Sequence, residues 1–188
     1  MTKIDFSQSR IFVVAGGPAA GKTTYIQKQL HAGIFPANAF IHDCDSVMES
    51  LQEYQDDLQQ WGPVAAFTTW EIPARQLAEE ALFAAAERKQ NIIYDRSCAL
   101  MSSFEFIETL VRQKSYQLFF YYLEVDIEVA IKRAQAREKA TGRHTPTHVI
   151  ADRINAVRTF LPGYQALATH FEKHDTRSKS PLSSAEKI

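Results

Sequence analysis

The chain has 188 residues, 45% hydrophobic and 23% charged, the balance of a single globular domain with a sizeable core. Lys and Arg number 21 and Asp and Glu 22, a formal net charge of −1, which excludes a general pull toward nucleic acid or acidic membrane and confines basic function to a local patch. The two cysteines, Cys44 and Cys98, show neither a disulfide framework nor metal-ligand spacing, and no apolar run approaches the ~18 residues of a membrane span, so the chain reads as cytoplasmic.

RIFVVAG (10–16) is an apolar run ending in glycine and predicts a buried strand. KTTYIQKQLHAG (22–33) has helical spacing and stops at Gly33. NAFIHD (38–43) predicts a second strand, and 46–61 a helix that Gly62-Pro63 interrupts. Residues 65–90 predict a long helix with a kink or restart at Pro73. NIIYD (91–95) predicts a third strand, 102–114 an amphipathic helix, and YQLFFYYLEV (116–125) a fourth strand. Residues 126–142 predict a helix closing at Gly142, and 147–171 more helix, broken around Pro162-Gly163. Trp61 and Trp70 are expected to pack a helical cap, and Met101, Phe104 and Phe106 to be core.

Strands that alternate with helices and are apolar on both faces indicate an α/β fold with a mostly parallel sheet of four to five strands. Residues 1–174 read as one domain and the polar, Ser-rich 175–188 as a disordered tail.

Between the first strand and the first helix lies Gly16-Gly17-Pro18-Ala19-Ala20-Gly21-Lys22-Thr23-Thr24. This is GxxxxGK[ST] without mismatch, in the strand–loop–helix context that the motif requires. Bare backbone lets successive N–H groups converge on phosphate oxygens, and the helix adds its positive end. The expected ligand is ATP with Mg²⁺: Lys22 reaches the β- and γ-phosphates, and the Thr23 hydroxyl holds the metal. The fold class is therefore a three-layer phosphate-loop kinase type with a helical lid.

Ligands of open α/β sheets sit beyond the carboxyl ends of the strands. Asp95, ending the third strand, is placed to act on Mg²⁺ directly or through water; capping a turn is the structural alternative. Asp45 is the candidate general base toward an acceptor hydroxyl, with helix capping near Ser46 as the alternative and Asp43 as a second candidate base. Arg137 and Arg143 are candidate lid arginines for phosphoryl charge, while Lys132 and Lys139 read as solvated. Arg96 is a candidate contact for an anionic substrate. His42, His144 and His148 lie near the expected site; each reads as structural before ligand-binding.

The loop GGPAAGKTT, HDCDSVM after the second strand, NIIYD, the arginine-bearing helix and TGRHTP resemble, in order, the zeta-toxin-like kinases over roughly residues 10–170. The short element Gly142, Arg143, Pro146 after the arginine-rich helix is more telling than the phosphate loop, which many kinases share. The resemblance implies a phosphate-loop kinase, in its best-known members acting on the 3′-hydroxyl of UDP-N-acetylglucosamine, often with an antitoxin partner. It implies Lys22 and Thr23 as the loop lysine and hydroxyl, Asp45 as the catalytic aspartate, and Arg137 and Arg143 as lid arginines. Two departures stand out. DRS (95–97) replaces a glutamate followed by small hydroxyl residues, and EKHDTRSKSPLSS (172–184) looks too polar for the family's fifth strand. The leading expectation is transfer of the γ-phosphoryl group to a hydroxyl of a small molecule. YDRSCALMSSFEFIETL (94–110) also resembles polynucleotide 5′-hydroxyl kinases, though the net charge argues against a nucleic-acid groove. A nucleotide-hydrolysing switch is the third alternative.

Overall fold

A computed structural model describes residues 8–177 apart from 142 and 144. In chain order it comprises β1 (Arg10–Ala15), α1 (Lys22–His31), β2 (Phe40–His42), α2 (Cys44–Ser50), α3 (Gln52–Trp61) and α4 (Pro63–Glu87). There follow β3 (Ile92–Arg96), α5 (Met101–Arg112), β4 (Gln117–Glu124), α6 (Ile127–Thr141), α7 (Thr147–Leu167) and β5 (His170–Asp175). The five strands form one parallel sheet in the order β2-β3-β1-β4-β5. Every residue of the central β1 is buried. Its side chains alternate between two cores: Ile11, Val13 and Ala15 join α4, α5 and α7 on one face, and Phe12 and Val14 join α1, α6 and the start of α7 on the other. A third, smaller core holds α2, α3 and the first half of α4 together through Met48, Tyr54, Ala66 and Ala74.

Several expectations change. The helix expected over 46–61 is two helices, because Leu51 is extended at φ −76°, ψ 125°. Neither proline breaks its helix: Pro73 lies inside α4 and Pro162 inside α7. Each removes the donor for the carbonyl four residues earlier, and the residues that carry those carbonyls, Thr69 and Arg158, are exposed, where solvent can replace a lost helix donor. Gly163 is a packing position. A Cβ there would lie 2.7 Å from Cε2 of Phe104 on α5.

The polarity of the C-terminal segment does not prevent a fifth strand. β5 pairs with β4 from Phe119–His170 to Glu124–Asp175. As an edge strand it needs only one aromatic anchor, Phe171, stacked on Phe120 at 5.5 Å, and Lys173 pairs with Glu124 at 2.9 Å. Of the expected tail, Thr176 is buried and bonded to the Glu124 carbonyl, while 178–188 lie outside the described residues. Trp70 packs in the helical cap and donates to Asp57 at 2.8 Å, but Trp61 and Met101 are exposed. No helix among the described residues is long and apolar enough to cross a membrane.

Candidate functional site

β1 ends against the carboxyl ends of its neighbours, and the chain then turns through Gly16 (φ 151°), Ala19 (φ 59°) and Gly21 (φ 90°) into α1. A Cβ on Gly16 would lie 2.7 Å from the Leu123 carbonyl oxygen, and one on Gly17 only 2.3 Å from Cγ1 of Ile154. The loop thus lies wedged between the end of β4 and α7. Gly21 offers α1 no side-chain cap and its first turn no acid, leaving the opening amides and the positive helix end to an external anion.

Lys22 Nζ donates to the Gly17 carbonyl at 3.3 Å and lies 3.9 Å from Asp95 Oδ1. The Thr23 hydroxyl donates to Asp95 Oδ2 at 3.3 Å. Burial pushes the Asp95 carboxyl up, and Lys22 opposes that push. No cluster of three or more His, Cys, Asp or Glu suited to a metal exists among the described residues. The adjoining oxygens of Thr23 and Asp95 are hard donors that fit Mg²⁺, an ion that keeps waters and substrate phosphates as its other ligands.

At the end of β2, His42 is buried and stacked on Tyr94 at 5.1 Å. Burial first, then Arg96, pushes its pKa down to about 4, so the ring is neutral and structural at pH 7. His148 is exposed at the start of α7, and His144 lies outside the described residues. Asp43, not Asp45, caps α2: its Oδ1 accepts the amides of Asp45 and Ser46 at 3.0 and 3.4 Å, and its Oδ2 the Ser46 hydroxyl at 2.7 Å. That leaves Asp45, in the first turn, free of capping, and its Oδ2 accepts from Arg143 Nη1.

Arg143 also lies over the Phe67 ring, 5.9 Å from its centroid. Arg137 donates to Thr145 at 2.9 Å; burial and the neighbouring Arg143 push its pKa down. Arg133 donates to the Thr176 carbonyl at 2.7 Å, tying α6 to the end of β5. Arg96 meets Cys44 Sγ at 3.3 Å and Glu79 at 3.4 Å.

A cleft of about 650 Å³ joins these groups. Pro18, Ala19, Gly21, Lys22, Thr23 and Thr24 line one wall, with Asp43, Asp45, Asp95, Arg96, Arg137 and Arg143 around it. Gly16, Gly17 and Ala20 form the loop from behind, Ala20 fully buried. The sequence reading missed Phe67, Glu71 and Arg75 on α4 and Arg153 on α7, which also line the cleft. Positions 67, 71 and 75 recur every four residues and so share one face of α4, but that spacing does not say what the face meets.

The zeta toxin family model matches residues 2–178. The chain belongs to the zeta toxin family. Among solved structures, a chain of the PezAT chromosomal toxin–antitoxin system of Streptococcus pneumoniae has a TM-score of 0.68 at 16% identity, covering 90% of this chain and 69% of that one. A chain of the AvrRxo1-ORF1:-ORF2 complex gives 0.71 at 14% identity, covering 90% of this chain and 55% of that one. A kinase candidate from Chloroflexus aurantiacus J-10-fl gives 0.58 at 19% identity, covering 91% and 90%. No curated protein matches the chain. At these identities the likenesses establish the fold. This zeta toxin family member has the three-layer α/β architecture of phosphate-loop kinases, and Arg137 and Arg143 line the same cleft as the loop.

Proposed function

We propose that this zeta toxin family protein transfers the γ-phosphoryl group of ATP to a hydroxyl of a small molecule, with UDP-N-acetylglucosamine as the acceptor. One observation carries the reading: Lys22, Thr23 and Asp95 adjoin one another in a single cleft that the Asp45–Arg143 pair also lines. Kinase chemistry needs a phosphate seat and an acceptor carboxylate in one enclosed space.

The loop amides and Lys22 bind the β- and γ-phosphates. Thr23 and Asp95 would hold a magnesium ion, which would supply neutralisation of phosphate charge. Arg143 and Arg137 present guanidinium groups to the phosphoryl oxygens, where negative charge spreads during transfer. Asp45 orients the acceptor hydroxyl and takes its proton as the acceptor oxygen bonds to the γ-phosphorus; the bond to the bridging oxygen breaks and ADP leaves. Asp43 serves the helix cap, which favours Asp45 over it as the base. An anionic acceptor is supported by the charge of the cleft: Lys22, Arg75, Arg96, Arg133, Arg137, Arg143 and Arg153 face it against Asp43, Asp45, Glu71 and Asp95. Arg75 and Arg96, which also line the cleft, are the groups this reading assigns to the acceptor's own phosphates. An antitoxin partner is supported by the toxin–antitoxin system to which one structural neighbour belongs.

The test is phosphoryl transfer from labelled ATP over hydroxyl-bearing metabolites and single-stranded oligonucleotides. UDP-N-acetylglucosamine is expected to be labelled, and Asp45→Asn to lose about 10²–10⁴-fold of that rate with ATP affinity retained. Normal turnover of Asp45→Asn removes it from the base role. Label on an oligonucleotide 5′-hydroxyl alone replaces the acceptor, and rapid hydrolysis with no acceptor replaces the kinase by a switch.

A further inference from the structure

The helical cap beside the cleft is built apart from the sheet. α2 and α3 pack chiefly on α4 and on each other. Met48, Tyr54, Ala66 and Ala74 close a core that shares no residue with the two cores of the sheet. Only α4 belongs to both bodies. Ala66, Phe67, Trp70 and Ala74 in its first half join the cap core, and Leu82 and Ala86 in its second half join a core of the sheet.

The changeover falls next to Pro73, where three helix-bending features meet. Pro73 has no N–H for the Thr69 carbonyl, and its ring crowds that oxygen. Thr68 and Thr69 turn their hydroxyls back on the carbonyls four residues earlier, donating to Val64 at 2.8 Å and to Ala65 at 3.0 Å. Bonds of this kind loosen and bend a helix. Thr68, Thr69 and Ile72 are all exposed, so this turn bends against water rather than against packed side chains. Polar contacts tie the cap to its surroundings: Arg96 meets Cys44 Sγ at 3.3 Å, and Asp45 accepts from Arg143. Half-exposed polar contacts exchange for solvent or phosphate at little cost.

We propose that the cap pivots as one body about the Thr68–Pro73 turn of α4, and that Pro73 is a positioning residue acting through this pivot on Asp45. Asp45 on α2 and Phe67 on α4 ride with the cap, whereas Lys22, Thr23 and Asp95 belong to the sheet and its loop. Bending therefore sets the distance from the Asp45 carboxylate to the phosphate seat, where a shift of ~1 Å changes rates by ~10²-fold. Phosphate at that seat competes with Asp45 for the Arg143 guanidinium and releases one tie of the cap. The pivot rests on the kinase reading only for this competition and for its effect on rate; the hinge itself follows from the helix.

Double electron–electron resonance tests it. Nitroxides are attached through unnatural keto side chains at Gln60 of α3 and Gln113 after α5, both exposed, so that Cys44 and Cys98 stay unlabelled. The ligand-free wild-type chain is expected to give a broad distance distribution, and saturating magnesium with a non-hydrolysable ATP analogue to shift its mean. Pro73→Ala restores the missing donor, and Thr68→Ala with Thr69→Ala removes both back-bonds. Each is expected to narrow the ligand-free distribution to a single peak, with a Tm no lower than that of the wild type, which separates stiffening from unfolding. In labelled-ATP transfer the same variants are expected to lower kcat and leave the KM for ATP unchanged. A narrow distribution in the wild type, or one that neither variant changes, overturns the pivot. So does an analogue that binds in equilibrium dialysis without shifting the mean. The two readings fail separately. A protein that transfers phosphate with a single, narrow distance keeps the kinase and removes the pivot. A broad, Pro73-dependent distance in a protein that transfers no phosphate does the reverse.

Discussion

Asp95 is buried beside Thr23 and Lys22, and burial raises its carboxyl pKa in spite of the lysine. A carboxylate whose folded pKa lies above its unfolded one binds more protons when folded, so the apoprotein loses stability as pH rises from the ordinary carboxylate range through that raised value. Asp95→Asn removes this penalty and keeps an acceptor for the Thr23 hydroxyl. Thermal denaturation at pH 7 is expected to show a higher Tm than that of the wild-type protein. Below pH ~4 the two proteins converge, since the carboxyl is then protonated in both states. Phosphoryl transfer falls in the same variant, the usual opposition between stability and a working site. Arg143 allows a complementary test. It bonds to Asp45 and lies over Phe67, two contacts that use a flat guanidinium. Arg143→Ala is expected to lower kcat about 10²–10³-fold, and Arg143→Lys to restore little of it, because an ammonium neither stacks nor forks. Full rescue by lysine in a steady-state assay reduces Arg143 to a point charge.

At the scale of elements, α7 shows how a sequence signal misleads. Pro162-Gly163 reads as a break, but each residue has a separate role in a continuous helix. The proline faces an exposed turn, so Pro162→Ala is expected to stabilise by up to about 3 kcal/mol in urea titration. Gly163 lets α5 approach, with Phe104 Cε2 only 2.7 Å from where a Cβ would stand. Gly163→Ala is therefore expected to destabilise by about 1–3 kcal/mol despite alanine's better helix propensity. Propensity reports a residue's own backbone, whereas here a neighbouring ring decides. β2 carries a further test. His42 is held neutral, with a pKa of about 4 against an ordinary 6.5, so the unfolded chain binds its proton first. Stability is full above pH 6.5 and is lost as pH falls toward 4, by on the order of 3 kcal/mol at the acid end. His42→Phe keeps the stack on Tyr94 and is expected to flatten that slope in pH-dependent denaturation.

For the molecule as a whole, the alternation of strands and helices and the phosphate loop were legible because burial on both faces and bare backbone leave strong local marks. β5 was not, because an edge strand needs little hydrophobicity and its pairing is set by β4, far away in sequence. The same limit applied to the cleft. Loop residues and strand-end acids announce themselves by position, but Phe67, Glu71 and Arg75 reach the cleft only because α4 folds back across it. Gly17 shows what that tertiary closure implies. There is no room for even one more carbon between its main chain and Ile154, so a methyl group added at Gly17 has to displace either the Ile154 side chain of α7 or the loop itself.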